Sequence, residues 1–269
     1  MAEMNADRGA PFEELIFEVK DGVAFVSMNR PKVLNARNRK LRQELIRAYD
    51  VIETDPGIVV GVLTGTGEKS FCVGMDLKEA NEREEDPVLS RWERPLSDAA
   101  ALEAVSKPMI AAINGYALGG GLEIALCCDI RIAAEHALLG LPEATRGIMP
   151  GSGGSQRLPR LLGPSRAMEF LMTGDSVTAA EAYRIGLVNQ IVPGSQLREA
   201  TEAMARRIMR SAPVALRLIK EAVRKGMDMT LAQGVALERD LSNFVSTTED
   251  AREGVRAFVE KRPPVWRGR

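Results

Sequence analysis

The chain has one histidine, His136, three cysteines, and aromatic side chains at only 4% of its 269 residues. A lone histidine leaves little room for Ser-His-Asp or Cys-His nucleophilic catalysis. Three cysteines, two of them adjacent (Cys127 and Cys128), make neither a disulfide framework nor a zinc-ligand spacing, and we expect no metal. So few aromatics offer no stacking platform for single-stranded bases. A net charge of −1 lacks the electrostatic footprint of a dedicated nucleic-acid binder. No apolar run approaches the roughly 20 residues of a membrane span. Met1 to Pro11 is polar, without the apolar core of a secretory signal or the basic character of a transit peptide, so we expect neither. What remains, 45% hydrophobic and 27% charged, is ordinary globular composition. The length suits one large domain, or one domain with a helical appendage. The class is a soluble, cytoplasmic-type enzyme or binding protein.

Leu15 to Val19 and Val23 to Met28 are β-rich runs separated by Asp21-Gly22, a strong hairpin signal. Leu41, Leu45, Ala48, Tyr49 and Ile52 share one face of an amphipathic helix. Ile58 to Thr64 reads as a buried strand, and Met109 to Ile113, Ile130 to Ala134 and Val188 to Val192 as further strands with helices between them. This alternation predicts an α/β domain with largely parallel strands over residues 12–196. Beyond it, 197–210, 213–226, 230–245 and 248–260 read as four helices, giving a C-terminal helical region over 197–269. Residues 78–98 are highly charged and without period, which fits a mobile surface loop or a short helix.

Three segments carry chemistry. Ser70 to Leu77 is a strand-like run that ends at Gly74 and turns into a polar helix start. Met109 to Ile113 leads into Gly119-Gly120-Gly121 and a helix from Leu122 to Cys128. Three glycines strip the side chains from a helix N-terminus, so backbone N–H groups can approach a phosphate or a developing oxyanion. No G-x-G-x-x-G frame can be completed there, and no Gly-Lys-Ser/Thr closes Gly151 to Ser155, so neither a dinucleotide fold nor a P-loop fits. The third segment is Leu141 to Gly147, in which Glu143 follows Glu123 by 20 residues. Two carboxylates brought together beside an anion site make an acid/base pair, because each raises the other's cost of ionising.

Together these segments resemble the crotonase superfamily, the enoyl-CoA hydratase/isomerase family. The resemblance runs from about Phe12 to Arg262 and rests chiefly on Lys107 to Glu123, Cys128-Asp129, Pro142-Glu143, Gly147, Pro150-Gly151 and Gly153 to Leu158. Leu171 to Gly174 and Ala257 to Arg262 extend it. It implies repeated ββα units (the crotonase, ClpP-like fold) and a C-terminal helical region used for self-association as a trimer or dimer of trimers. It implies an acyl-CoA thioester substrate with no separate cofactor, and neither a nucleic acid nor a membrane as partner.

The resemblance also implies site roles. The backbone N–H groups of Met75 and Gly120 would form the oxyanion hole. Glu123 would hold and activate the water that attacks C3 of a 2-enoyl-CoA, and Glu143 would deliver the proton to C2. Asn35, Ala36, Arg37, Asp76, Leu77, Phe258 and Lys261 match positions at which the family meets CoA, Arg37 through a phosphate and Phe258 and Lys261 on a neighbouring subunit's ligand. Residues 251–269 hold six Lys/Arg against two Glu, which suits a CoA-facing or interface helix and equally a solvated one. Leu141 stands where a polar residue is frequent, and Met75 is larger than usual, narrowing the acyl pocket. His136 and the cysteines have packing roles. Enoyl-CoA isomerisation, or hydration of a branched, cyclic or carnitinyl thioester, is the alternative within the family. An RNA-binding homologue is the alternative outside it, opposed by charge and composition.

Overall fold

The computed structural model describes residues 11–81 and 97–269. β1 (Leu15–Lys20) and β2 (Val23–Met28) pair antiparallel, with Lys20 opposite Val23. Asp21 and Gly22 take φ of 50° and 78°, the left-handed pair that a two-residue hairpin turn needs. α1 (Arg39–Thr54) starts at Asn38, whose side chain accepts from the Leu41 N–H, and buries the five residues that its period marks. β3 (Val60–Gly65), β4 (Ser70–Cys72) and α2 (Leu77–Asn81) follow, then α3 (Asp98–Ala104). The charged segment 78–98 therefore lies mostly outside the described residues, with a short helix at its start.

β5 (Met109–Ile113), β6 (Tyr116–Leu118) and α4 (Gly120–Cys127) form one ββα unit; β7 (Ile130–Ala134) and β8 (Leu138–Gly140) open the next. α5 (Gly154–Leu162), α6 (Pro164–Thr173), β9 (Ser176–Thr178), α7 (Ala179–Arg184) and β10 (Gln190–Val192) complete the α/β part. Each unit sends its first strand to a six-stranded sheet, β1-β2-β3-β5-β7-β10, and its second to a four-stranded sheet, β4-β6-β8-β9. The large sheet is parallel from β2 onward; in the small one β4, β6 and β8 are parallel.

Both faces of the large sheet are covered. Ala24, Val26, Leu63, Ala111 and Ile113 face the main core, and Val23, Phe25, Val60, Val62, Ile110 and Ala112 face a second one. That explains why these strands read as unbroken apolar runs. The second core is closed by Leu197 and Ala205 of α8 (Leu197–Ile208). By packing, α8 belongs to the α/β body, and a boundary at 196/197 would cut through a buried face. α9 (Pro213–Gly226), α10 (Leu231–Ser246) and α11 (Glu249–Val259) lie beyond it, and neither α9 nor α10 buries a residue. No described helix is long and apolar enough to cross a membrane.

Candidate active site

Three neighbouring strands of the small sheet deliver the site. β4 pairs with β6 in parallel (Ser70 with Tyr116, Cys72 with Ala117), and β6 with β8 (Leu118 with Gly140). The residues that follow each strand therefore emerge side by side at one sheet end: Gly74-Met75 after β4, Gly119-Gly120 after β6, and Glu143 after β8. Ligand sites of parallel sheets sit at this carboxyl end.

Gly74, at φ 94°, lies against the start of α4; a Cβ placed there would be 2.9 Å from the Gly120 nitrogen. The Arg37 N–H donates to the Gly74 carbonyl at 2.7 Å, and the Asp76 N–H to the Arg37 carbonyl at 3.1 Å. This bridge turns the Met75 N–H the other way. Gly120 opens α4, so its N–H has no intrahelical acceptor. No described residue accepts from either N–H. Two adjacent free donors at a helix N-terminus suit a developing oxyanion. The helix begins two residues earlier than its apolar pattern suggests, which places Gly120 in the first turn.

The two carboxylates are held differently. Glu123, on the first turn of α4 and buried, accepts through Oε1 from the Ser152 N–H at 2.8 Å and the Gly154 N–H at 2.7 Å. No described residue donates to its other oxygen. Ser152 and Gly154 were absent from the expected site. Their signal is the glycine-rich stretch 151–155 ahead of α5, another side-chain-free helix start. Glu143 lies on a short 3-10 helix, Pro142–Arg146, and is buried, with Oε2 unpartnered among the described residues. Burial chiefly, with the charge of Glu123 adding to it, raises its pKa above the ordinary carboxylate value. The structure thus supplies one anchored carboxylate and one carboxyl biased toward its protonated form.

The residues expected to meet CoA divide. Asn35 is fully buried: Oδ1 accepts from the Arg30 N–H at 2.9 Å, and Nδ2 donates to the Ser70 carbonyl at 2.8 Å. Its side chain knots the loop, leaving backbone alone for a ligand; Ala36 is buried beside it, its carbonyl accepting from Arg30. Asp76 pairs with Arg30 at 2.9 Å. Partial burial works to raise its pKa, but the Arg30 hydrogen bond and charge outweigh that and hold it below the usual range. Leu77 is half exposed. The phosphate contact expected of the Arg37 side chain does not fit: the guanidinium is buried and ion-paired with Asp98. Phe258 and Lys261 stand exposed on α11 and the turn after it.

Among the basic residues after Ala251, Arg256 and Arg262 pair with Glu253 and Arg269 with Glu249. Leu141 is fully buried and Met75 is half exposed at the site. His136 Nε2 lies 2.9 Å and 3.1 Å from the carbonyls of Glu68 and Asn114, which makes it a donor that fastens two loops. All three thiols are buried, and burial pushes their pKa values up, away from nucleophilic use.

Comparison with known proteins agrees with this geometry. Residues 18–269 match the sequence profile of the enoyl-CoA hydratase/isomerase family. The crotonyl-CoA hydratase of Syntrophomonas wolfei is 41% identical over 256 residues, covering 93% of this chain and 96% of that protein. The 2,3-dehydroadipyl-CoA hydratase of Escherichia coli is also 41% identical over 256 residues, covering 95% and 99%. The crystal structure of an enoyl-CoA hydratase from Bacillus anthracis superposes with a TM-score of 0.91 at 41% identity, covering 96% of this chain and 100% of that one. With sequence, fold and relatives in agreement over nearly its whole length, the chain belongs to the enoyl-CoA hydratase/isomerase family and is an enzyme of the hydro-lyase type.

Proposed function

We propose that the protein hydrates 2-enoyl-CoA thioesters by syn addition of water across C2=C3. The observation that carries this reading is the carboxylate pair: Glu123 anchored on the Ser152 and Gly154 N–H groups, and Glu143 buried with one oxygen unpartnered among the described residues. The thioester carbonyl would sit between the N–H groups of Met75 and Gly120, which strengthen their hold as charge moves onto its oxygen. Glu123 orients a water and accepts one of its protons while the water oxygen bonds to C3. The C2=C3 electron pair moves toward the carbonyl as the enolate forms, then takes the Glu143 proton at C2 as the carbonyl re-forms. Passing one proton from Glu123 to Glu143 restores both groups, and such coupled carboxyls titrate as a pair. Isomerisation needs no water held at C3, so an anchored Glu123 favours hydration.

The two relatives named above differ in acyl group at equal identity, so the proposal is for the 2-enoyl class. CoA contacts fall to the Asn35–Ala36 backbone and Leu77, with Phe258 and Lys261 of a neighbouring subunit. Self-association as a trimer or dimer of trimers is part of this reading, supported by the outward apolar residues of α9 to α11. The test follows the loss of enoyl ultraviolet absorbance of crotonyl-CoA. A fast decrease that Glu143→Gln lacks is expected; no decrease with crotonyl-, branched and cyclic 2-enoyl thioesters would overturn the reading. The acid–base route uses no cofactor beyond the CoA of the substrate, so exhaustive chelation is expected to leave the initial rate unchanged. A rate lost to chelator and restored by a metal salt would contradict it.

A further inference from the structure

Arg37 occupies a place that neither CoA binding nor helix stability explains. Its Nη1 pairs with Asp98, and both side chains are almost fully buried. Its Nη2 packs on the first turn of α4, where a Cβ on Gly120 would collide with it. Its Nε is buried without a partner among the described residues. A cation at a helix N-terminus has the wrong sign for the helix dipole. Burying it adds a desolvation cost, which the ion pair with Asp98, reached through the other nitrogen, outweighs. Its backbone meanwhile clamps the opposite donor, through bonds to Gly74 and Asp76 on either side of Met75. One residue therefore touches both halves of the oxyanion hole.

We infer that Arg37 is a positioning residue of the oxyanion hole: the Arg37–Asp98 pair seats a fixed positive charge behind Gly120, aligns the Met75 and Gly120 N–H groups, and favours the enolate over the ground-state thioester. Burial works against the protonated guanidinium, but the charge of Asp98 and its hydrogen bond hold the pKa above the ordinary value, so the charge persists across the working range. In a low-dielectric setting such a charge acts at short range without reorganising. The inference rests on the hydratase reading.

The test compares wild type with Arg37→Met, Arg37→Lys and the double variant Arg37→Met/Asp98→Asn, which leaves no orphaned carboxylate. Turnover is measured with crotonyl-CoA. Acetoacetyl-CoA, whose bound enolate has its own ultraviolet band, reports stabilisation of the oxyanion without turnover. In the folded double variant we expect kcat to fall about 10- to 100-fold, KM to stay within about threefold, and the bound enolate to fall in step. Arg37→Lys should recover much of the enolate signal; recovery of thermal stability alone would overturn the charge argument. A folded double variant with unchanged kcat and enolate band would overturn the proposal outright. A wild type that binds enolate but hydrates no enoyl thioester defeats the hydratase reading and leaves the enolate comparison to decide Arg37; one that does neither defeats both.

Discussion

Glu143 carries the sharpest trade between chemistry and stability. Its pKa is raised because ionising it inside the protein is costly, so its favourable contribution to stability is complete below the unfolded value. That contribution is lost as pH rises through the folded value. Glu143→Gln should therefore melt at the same temperature as wild type at pH 7, or above it, while hydration is abolished and CoA-ester binding is retained. A melting temperature several degrees lower would show that the carboxyl supports the fold. The same sign governs rate: a protonated acid is lost as pH rises, so hydration should decline on the alkaline side of the raised Glu143 pKa. A rate that does not fall on the alkaline side would remove Glu143 from the acid role. Glu123→Gln keeps the Ser152 and Gly154 contacts sterically but removes the proton acceptor. A loss of several orders of magnitude in kcat is expected, about 4 kcal/mol or more of barrier; a loss under tenfold would favour isomerase chemistry.

At the scale of elements, α9 is docked by charge. Lys220 donates to the Lys107 carbonyl at 2.7 Å and meets Asp129 at 2.8 Å; Arg224 reaches the Cys127 and Glu103 carbonyls and Asp129. Arg224 thereby caps the C-terminus of α4, the helix whose other end carries Gly120 and Glu123. Asp129→Ala strands the nearly buried Lys220 ammonium and should cost about 3 kcal/mol, read by denaturant unfolding; a cost under about 1 kcal/mol would show that the pair is merely a surface contact.

Elements of this length were largely legible in advance. α1, β5, β7 and the four C-terminal helices lie within a residue or two of their periodic patterns. β6, β8 and β9 were not, because three residues are too few to show a period, and glycines flank β6 and end β8. The site followed the same divide. Glu123, Glu143 and the glycines could be picked out by type and spacing. The burial of Arg37 on Asp98 could not, since the two are brought together only when α1's leading loop meets α3.

At the scale of the whole molecule, apolar surface is left that the described residues do not cover. Val223, Met227 and Leu231 are 62%, 63% and 85% exposed, and Phe258 is 85% exposed. A trimer or hexamer of the 29.3 kDa chain is expected in light scattering, and Leu231→Asp should shift it toward monomer. A monodisperse wild-type monomer would refute this. The inner architecture has a different consequence. β4, β6 and β8 hang on one hydrogen-bonded lattice with a strand spacing of about 4.8 Å, so Glu143 and the Met75 and Gly120 N–H groups, the proposed acid and oxyanion donors, sit on a ruler whose marks cannot slide independently. On the proposed reading, drift in acyl preference would come from side chains that overhang the ruler, Met75 foremost, and one backbone geometry would serve different acyl groups without being recalibrated for each.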